Sequence, residues 1–294
     1  MMKISGWFFR SIIVSFIVIL SGSGIYAGSP DEKHTPPDEQ RKSRYHIGLS
    51  AGETTYFGDL KNNNLKAPFY YRYGIQLNAE RDVFTASRLC VNLFYGNILG
   101  DEKTESRALN FKTTMVSPQL GLSFNFLHWA NQGKLREHFS CWLFAGAEAI
   151  FFTVTGDLKN NNGKTYYYWN DGTIRDLPQN YDNTSTAAII SRDNTFETSY
   201  RNLDIDNIGK PKQFALGIPL GLSAECRFKN GIAIRIGAVY HYTFSDYLDN
   251  ITSKSIGVRK GKAGTDKFIY SSLGIFYSLP AYRKKCCLTS RHNN

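Results

Sequence analysis

The sequence predicts an all-β chain folded as an eight-stranded antiparallel up-and-down transmembrane β-barrel. Three observations predict it. The chain opens with an export-type segment, and no later apolar run is long enough for a membrane helix. Eight later segments alternate apolar and polar residues with period two, over lengths that cross a bilayer at a tilt. The joins between them alternate long and short, as an up-and-down barrel needs.

In the opening segment, Lys3 and Arg10 form a basic start, Ser11 to Leu20 an apolar core, and small residues lead up to Ala27. This reads as a signal peptide over residues 1–27, its apolar run too short to span a bilayer as a helix. No Cys follows the cleavage region, which argues against a lipoprotein. Residues 28–43, "GSPDEKHTPPDEQRKS", are polar, charged and proline-bearing, and read as a flexible periplasmic lead-in.

The barrel is expected over 44–279. Its first strand, about 44–56, sets Tyr45, Ile47, Leu49 and Ala51 against His46, Gly48, Ser50 and Gly52. The second, "YYRYGIQLNAE", sets Tyr73, Ile75, Leu77 and Ala79 against Arg72, Gly74, Gln76, Asn78 and Glu80. The third, about 87–98, opposes Leu89, Val91, Leu93 and Tyr95 to Arg88, Cys90 and Asn92. The fourth, about 112–127, opposes Val116, Leu120, Leu122 and Phe124 to Ser117, Gln119, Gly121 and Ser123. The fifth, about 139–154, is apolar on both faces, with Gly146 and Glu148 marking the polar one. The sixth, about 213–228, opposes Phe214, Leu216, Ile218, Leu220 and Leu222 to Ala215, Gly217, Gly221, Ser223, Glu225 and Arg227. The seventh, about 231–246, opposes Ile232, Ile234, Ile236 and Tyr240 to Arg235, Gly237, His241 and Thr243. The eighth, about 267–279, carries Ile269, Leu273, Ile275 and Tyr277 on its apolar face.

The aromatic-rich apolar face is expected to meet outer-membrane lipid, and the polar face to line a small polar lumen. Closure follows because lipid cannot satisfy an open sheet edge. Joins are short after strands two, four and six, with "Asn230-Gly231" a tight-hairpin signal. They are longer after strands one, three, five and seven, and longest at 155–212. The short joins and both termini are therefore assigned to the periplasm.

The formal charge is +10; without Lys3 and Arg10 it falls to about +8. Such a balance suits an anionic surface or an acidic partner. With no compact Lys/Arg block and no nucleic-acid motif, nucleic acid is set aside. The five cysteines, Cys90, Cys141, Cys226, Cys286 and Cys287, form neither a disulfide framework nor a zinc pattern. No cofactor, metal or small-molecule substrate is predicted.

Several groups of residues are candidates for chemistry. The charges Arg72, Glu80, Glu148, Glu225, Arg227 and Arg235 either line a channel or pair to fill a barrel too narrow to conduct; pairing is favoured. His241 with Thr243, Ser245 and Glu225 has the residue types of a hydrolase, but no nucleophile motif marks either hydroxyl. Cys141 and Cys226 lie near the same end of adjacent strands, as isolated apolar cysteines or a disulfide pair. The tail 280–294, "PAYRKKCCLTSRHNN", is basic and thiol-bearing. The long loop, with "TYYYWNDG" and many Asn and Asp, is either a contact surface or a solvated loop whose aromatics pack on themselves. The block "GDLKNNN" occurs twice, at 58–64 and 156–162, and reads as turn chemistry used twice.

Several stretches, "GETTYFGDL", "LNFKTTMVSPQLGLSFNF", "FAGAEAIFF" and "IPLGLSAECRFKNGIAIRIGAVYHYTFSDYLDNI", resemble the PorG family of outer-membrane barrels of the Bacteroidota type IX secretion system. The most specific pieces are Tyr56-Phe57-Gly58-Asp59-Leu60 and Thr243-Phe244-Ser245-Asp246-Tyr247-Leu248-Asp249. The resemblance implies a non-enzymatic barrel that associates with a periplasmic ring of PorK and PorN and links it to the outer membrane. The tail residues Arg283, Lys284, Lys285, Cys286 and Cys287 are the expected contact. Related OmpA-like barrels share the first motif, so a general structural or adhesive barrel is the alternative; a small pore or a lipid hydrolase ranks below it.

Overall fold

The computed structural model describes residues 45–60, 72–84, 86–104, 107–130, 138–169 and, with gaps of one or two residues, 171–279. The segments read as signal peptide (1–27) and lead-in (28–43), and the tail with Arg283 to Cys287, lie outside the described residues.

Eight long strands form the barrel: β1 (Tyr45–Phe57), β2 (Tyr73–Phe84), β3 (Ser87–Thr104), β4 (Arg107–Asn125), β5 (Phe139–Gly156), β9 (Phe214–Arg227), β10 (Ile232–Thr243) and β11 (Lys267–Leu279). Three two-residue strands, β6 (Tyr167–Tyr168), β7 (Ile174–Arg175) and β8 (Thr198–Ser199), belong to the long loop. Each barrel strand pairs antiparallel with its neighbours in sequence. β1 pairs with β11 from Tyr45↔Leu279 to Phe57↔Lys267, so the sheet closes on itself.

Closure follows from the alternation. An open sheet of this width would leave two edges of unpaired backbone, and pairing β1 with β11 removes both. The strands keep the parity that the sequence predicts. His46, Ser50, Gln76, Asn78, Glu80, Asn92, Ser117, Gln119, Glu148, Glu225 and His241 are buried inside, while Leu49, Leu77, Val91, Leu120, Leu216, Leu222, Leu273 and Ile275 stand exposed outside. Leu77 and Ile275, at 56% and 64% exposure, are typical of that outer face.

The structure moves several boundaries. β2 continues through Arg81 and Asp82 to Phe84, because Asp82 points inward to partners and Arg81 lies over the Tyr45 ring. The join after the third strand is short rather than long: β3 and β4 stay paired out to Thr104↔Arg107. The β9–β10 connection is a tight hairpin in which Gly231 takes φ 83° and its N–H donates to the Phe228 carbonyl at 3.1 Å. The join after β4 carries one helical turn, Leu127–Ala130.

The lumen departs from a uniformly polar one. At the end where Tyr45 and Leu279 pair, the terminal end, it holds charges. At the opposite, loop end it holds a hydrophobic core. Phe94, Ile98, Phe111, Met115, Ile150, Phe152, Phe268 and Tyr270 point inward there and pack with Tyr56, Leu60, Tyr200, Leu248 and Ile251. These apolar residues keep the inward parity. They can stay out of water because the loops cover them.

Candidate functional site: two charge clusters and the cover between them

At the terminal end, strands β2, β3, β9 and β10 bring Glu80, Asp82, Arg88, Glu225 and Arg235 together. Arg88 donates to Glu80 at 3.0 Å, to Asp82 at 3.1 Å and to Glu225 at 3.3 Å. Arg235 donates to both oxygens of Glu80, at 2.5 and 2.9 Å, and to Glu225 Oε2 from Nε and Nη2. Arg227 completes Glu225 at 2.7 Å, and His46 bridges Asp82 and Ser278. The guanidinium planes of Arg88 and Arg235 lie 3.8 and 3.7 Å from the ring centres of Trp142 and Phe276. An interior of eight strands is just wide enough for side chains. Buried charges persist there because each faces an opposite charge and further hydrogen bonds. The lumen charges therefore fill the barrel rather than line a path. Arg72, read from sequence as a lumen charge, is buried on the same parity and pairs with Glu53 toward the loop end.

Midway, Glu148 accepts from Ser117 at 2.7 Å and lies 3.0 Å from His241 Nδ1. The His241 ring stacks on Phe268 with centroids 4.1 Å apart. The hydrolase set is not assembled. Glu225 lies six residues beyond Pro219, the partner of His241, which is roughly 20 Å along the strand. Thr243 Oγ1 donates to the Asp266 carbonyl at 2.7 Å, and Ser245 Oγ accepts from the Tyr247 N–H at 3.2 Å. Neither hydroxyl is presented to the imidazole.

At the loop end the two motif stretches, nearly two hundred residues apart in sequence, meet. The Tyr56 hydroxyl lies 2.7 Å from both Asp249 Oδ2 and Asp266 Oδ1, and the Asp59 N–H donates to the same hydroxyl at 3.2 Å. Each carboxylate also holds backbone. Asp266 Oδ2 accepts from Leu248, Asp249 Oδ1 from Ile251, Asp246 from Ser253 and Asp59 Oδ1 from Lys262. Thr113 donates to the Leu248 carbonyl. These bonds fold the β10–β11 loop inward and press Leu248 and Ile251, both buried, onto the core. Tyr247 packs beside them. Phe57 and Phe244 take no part in this knot; Phe244 is exposed and stacks edge-on with Tyr242.

Asp266 is the member that sequence reading missed. It continues the inward parity of Phe268 and Tyr270, and a charge on that parity just before an apolar strand was its available signal. Burial pushes Asp266 up to about 7. Burial, then the Asp266 charge, hold Asp249 well above the usual carboxylate range. Burial takes Asp246 to about 6.

The second "Gly-Asp-Leu" corner is built on the same plan. Asp157 Oδ2 accepts from the Asn194 N–H at 3.1 Å, its own N–H donates to Asn110 Oδ1, and its carbonyl accepts from Tyr168. A Cβ at Gly58 would lie 1.8 Å from the Tyr56 hydroxyl; one at Gly156 would lie 1.9 Å from that of Tyr200. Leu60 is in the core and Leu158 packs against it. Each corner thus seats a tyrosine hydroxyl on glycine and pins distant backbone with aspartate, Lys262 of the β10–β11 loop for Asp59 and Asn194 of the same long loop for Asp157. The loop 155–212 is ordered by this corner, by the β6–β7 pair, by β8 against β5 and by buried Tyr166, Trp169, Phe196 and Tyr200. Arg259 ties the two loops together through Asp206 and the Asn250 carbonyl.

Cys90 is buried beside Ser123, and Cys141 and Cys226 are unbridged. Phe139, not Cys141, stands opposite Cys226, which leaves the two cysteines diagonal to each other. Among the described residues no group of three or more His, Cys, Asp or Glu is arranged to hold a metal ion.

A closed eight-stranded barrel with side chains filling its interior and an apolar belt outside is a small membrane-type β-barrel, because such a belt has no stable contact with water. No family model and no curated protein matches the chain. Solved structures resemble it in fold. Ail, the attachment invasion locus protein of Yersinia pestis, aligns at 10% identity with TM-score 0.38, over 80% of this chain and 97% of that one. A major outer membrane protein from Thermus thermophilus aligns at 14% and 0.39, over 79% and 98%. OprG from Pseudomonas aeruginosa aligns at 11% and 0.36, over 82% and 98%. At these identities and TM-scores the likeness assigns no function to this chain.

Proposed function

We propose that the protein is a non-enzymatic outer-membrane barrel that anchors periplasmic partners, with both termini in the periplasm. One observation carries this reading: the barrel is apolar all round its outside and closed within, by paired charges at one end and a covered core at the other. Such a body offers lipid contact and surfaces, and among the described residues the hydroxyls of Thr243 and Ser245 are turned to backbone rather than to His241. The apolar belt supports the membrane address, and the signal-type start supports export.

The resemblance of the motif stretches to the PorG family supports the finer reading, a component of the type IX secretion system that links a PorK/PorN-like ring to the outer membrane. The basic tail, with Arg283, Lys284, Lys285, Cys286 and Cys287, is the proposed contact, and substrates would be moved by other components. The test is affinity capture of the full chain from native outer membranes, against a variant lacking 281–294, with mass spectrometry. Ring proteins are expected with the full chain and lost with the deletion. Their absence from the full-chain sample overturns the secretion reading. A second reading, a structural or adhesive barrel, is favoured by the ordered loop 155–212. It gains if deleting that loop abolishes surface binding while ring capture is unchanged.

A further inference from the structure

We propose that Tyr56, Asp249 and Asp266 together bind one proton beyond the phenol's own, and that this proton latches the β10–β11 loop over the barrel.

The argument is a count of hydrogens. A tyrosine hydroxyl carries one proton and can donate it to one strong acceptor at a time. Here it stands 2.7 Å from an oxygen of each of two carboxyls, and both contacts have the length of a made O–H···O bond. If both carboxyls were ionised, one contact would be oxygen against oxygen with no hydrogen between. A proton on either acid completes the set: one carboxyl donates to the phenol oxygen and the phenol donates to the other. The Asp59 N–H, at 3.2 Å, also donates to that oxygen. Oδ1 of Asp249 and Oδ2 of Asp266 are already committed to the Ile251 and Leu248 amides, so the shared proton lies on the Tyr56 side.

The surroundings favour the neutral form. Among the described residues, the ionisable groups that act most on the triad are Asp59 from the β1–β2 corner and Asp246 from the loop itself, both carboxylates. Among the described residues no Lys or Arg forms an ion pair with Asp59, Asp246, Asp249 or Asp266. Arg259 is turned to Asp206 and the Asn250 carbonyl, Lys262 contributes its backbone N–H to Asp59, and Lys267 lies over Tyr242. Burial sets Asp266 near 7 and lifts Asp249. For an acid raised on closure, the closed loop binds the proton more tightly than the open one. The proton's contribution to closure is therefore full below the open-state value, near 4, and declines as the pH rises toward about 7. Opening would withdraw Leu248 and Ile251 from the core that they cover.

The test is amide hydrogen exchange on the full chain refolded in detergent micelles, at pH 5.5 and 8.5, corrected for intrinsic rates. Protection at Leu248, Ile251 and Lys262 is expected to fall at least tenfold at pH 8.5, while Phe228 and Gly231 in the far hairpin change little. Asp266→Asn places an amide donor toward Tyr56 and keeps an acceptor for Leu248, so its protection is expected to stay high at both pH values. Equal protection of the wild-type loop at the two pH values overturns the proposal. So does an Asp266→Asn profile that still falls with pH, or restoration of wild-type protection at pH 8.5 by calcium after EDTA treatment. Should the variant fail to fold, infrared spectra of the wild type decide the matter. A protonated-carboxyl band that titrates away near pH 7 supports the latch, and no such band at pH 5.5 refutes it.

Discussion

The barrel buries two clusters of carboxylates, one at each end, and they are built on opposite terms. At the terminal end, Glu80, Asp82 and Glu225 face Arg88, Arg227, Arg235 and His46, and nearly every oxygen has a cationic partner. At the loop end, Asp59, Asp246, Asp249 and Asp266 face backbone amides, a phenol and one another, with no ion pair among the described residues. The difference teaches that burial alone does not decide what a carboxylate does. Matched by guanidinium, it is a fixed strut. Matched by amides and a hydroxyl, it depends on a proton and can release what it holds.

Substitutions at the strut, the latch and the second corner would break or sharpen this contrast. The largest effect is expected at the strut. Glu225→Ala leaves Arg88 and Arg235 sharing Glu80 and strands buried charge, at about 3–5 kcal/mol of stability. Denaturant unfolding in micelles measures it, and a loss below about 1 kcal/mol would show that the cluster is not a strut. The next effect is at the latch. Tyr56→Phe removes the hydroxyl shared by two acids, at about 1–3 kcal/mol. Its counterpart Tyr200→Phe, at a corner where Arg259 keeps Asp206 and the Asn250 carbonyl, should cost about 1 kcal/mol. Equal losses in the same unfolding assay would erase the distinction between the corners. The smallest effect is at Asp157, which burial lifts to about 6. Its stability contribution declines as the pH rises from its unfolded value, near 4, toward about 6. Asp157→Asn keeps an acceptor for the Asn194 amide, so at pH 5 it should stay within about 0.5 kcal/mol of wild type and remove that slope. Stability curves at pH 4.5 and 6.5 check both statements.

The fold is readable because its signal is local. Leu49 or Leu77 declares its face by the residue on either side, and period-two parity needs no knowledge of the partner strand. Boundaries are less readable where charge interrupts the alternation. Asp82 looks like a turn residue until Arg88 and His46 are seen across the strand pair. The candidate site is readable only in pieces. Tyr56 and Asp249 belong to two separate motifs, but their shared hydrogen bond crosses the closed barrel. Asp266 carries no motif, since its meaning comes from Tyr56 and Leu248. The repeated "Gly-Asp-Leu" reads from sequence as loop chemistry used twice. The structure sharpens that to one device used twice, a glycine under a tyrosine hydroxyl and an aspartate pinning backbone far along the chain, in another loop for Asp59 and later in its own loop for Asp157.

By itself, the sequence determined the strand number, the parity of each strand and hence which side chains face outward, because those properties repeat every two residues along one chain. Only the tertiary structure decided that the lumen is charged at one end and apolar at the other, and that four aspartates gather with no ion pair among the described residues. Those are properties of distance between strands, and the contacts that set them, such as Tyr56 with Asp266, join residues 210 positions apart.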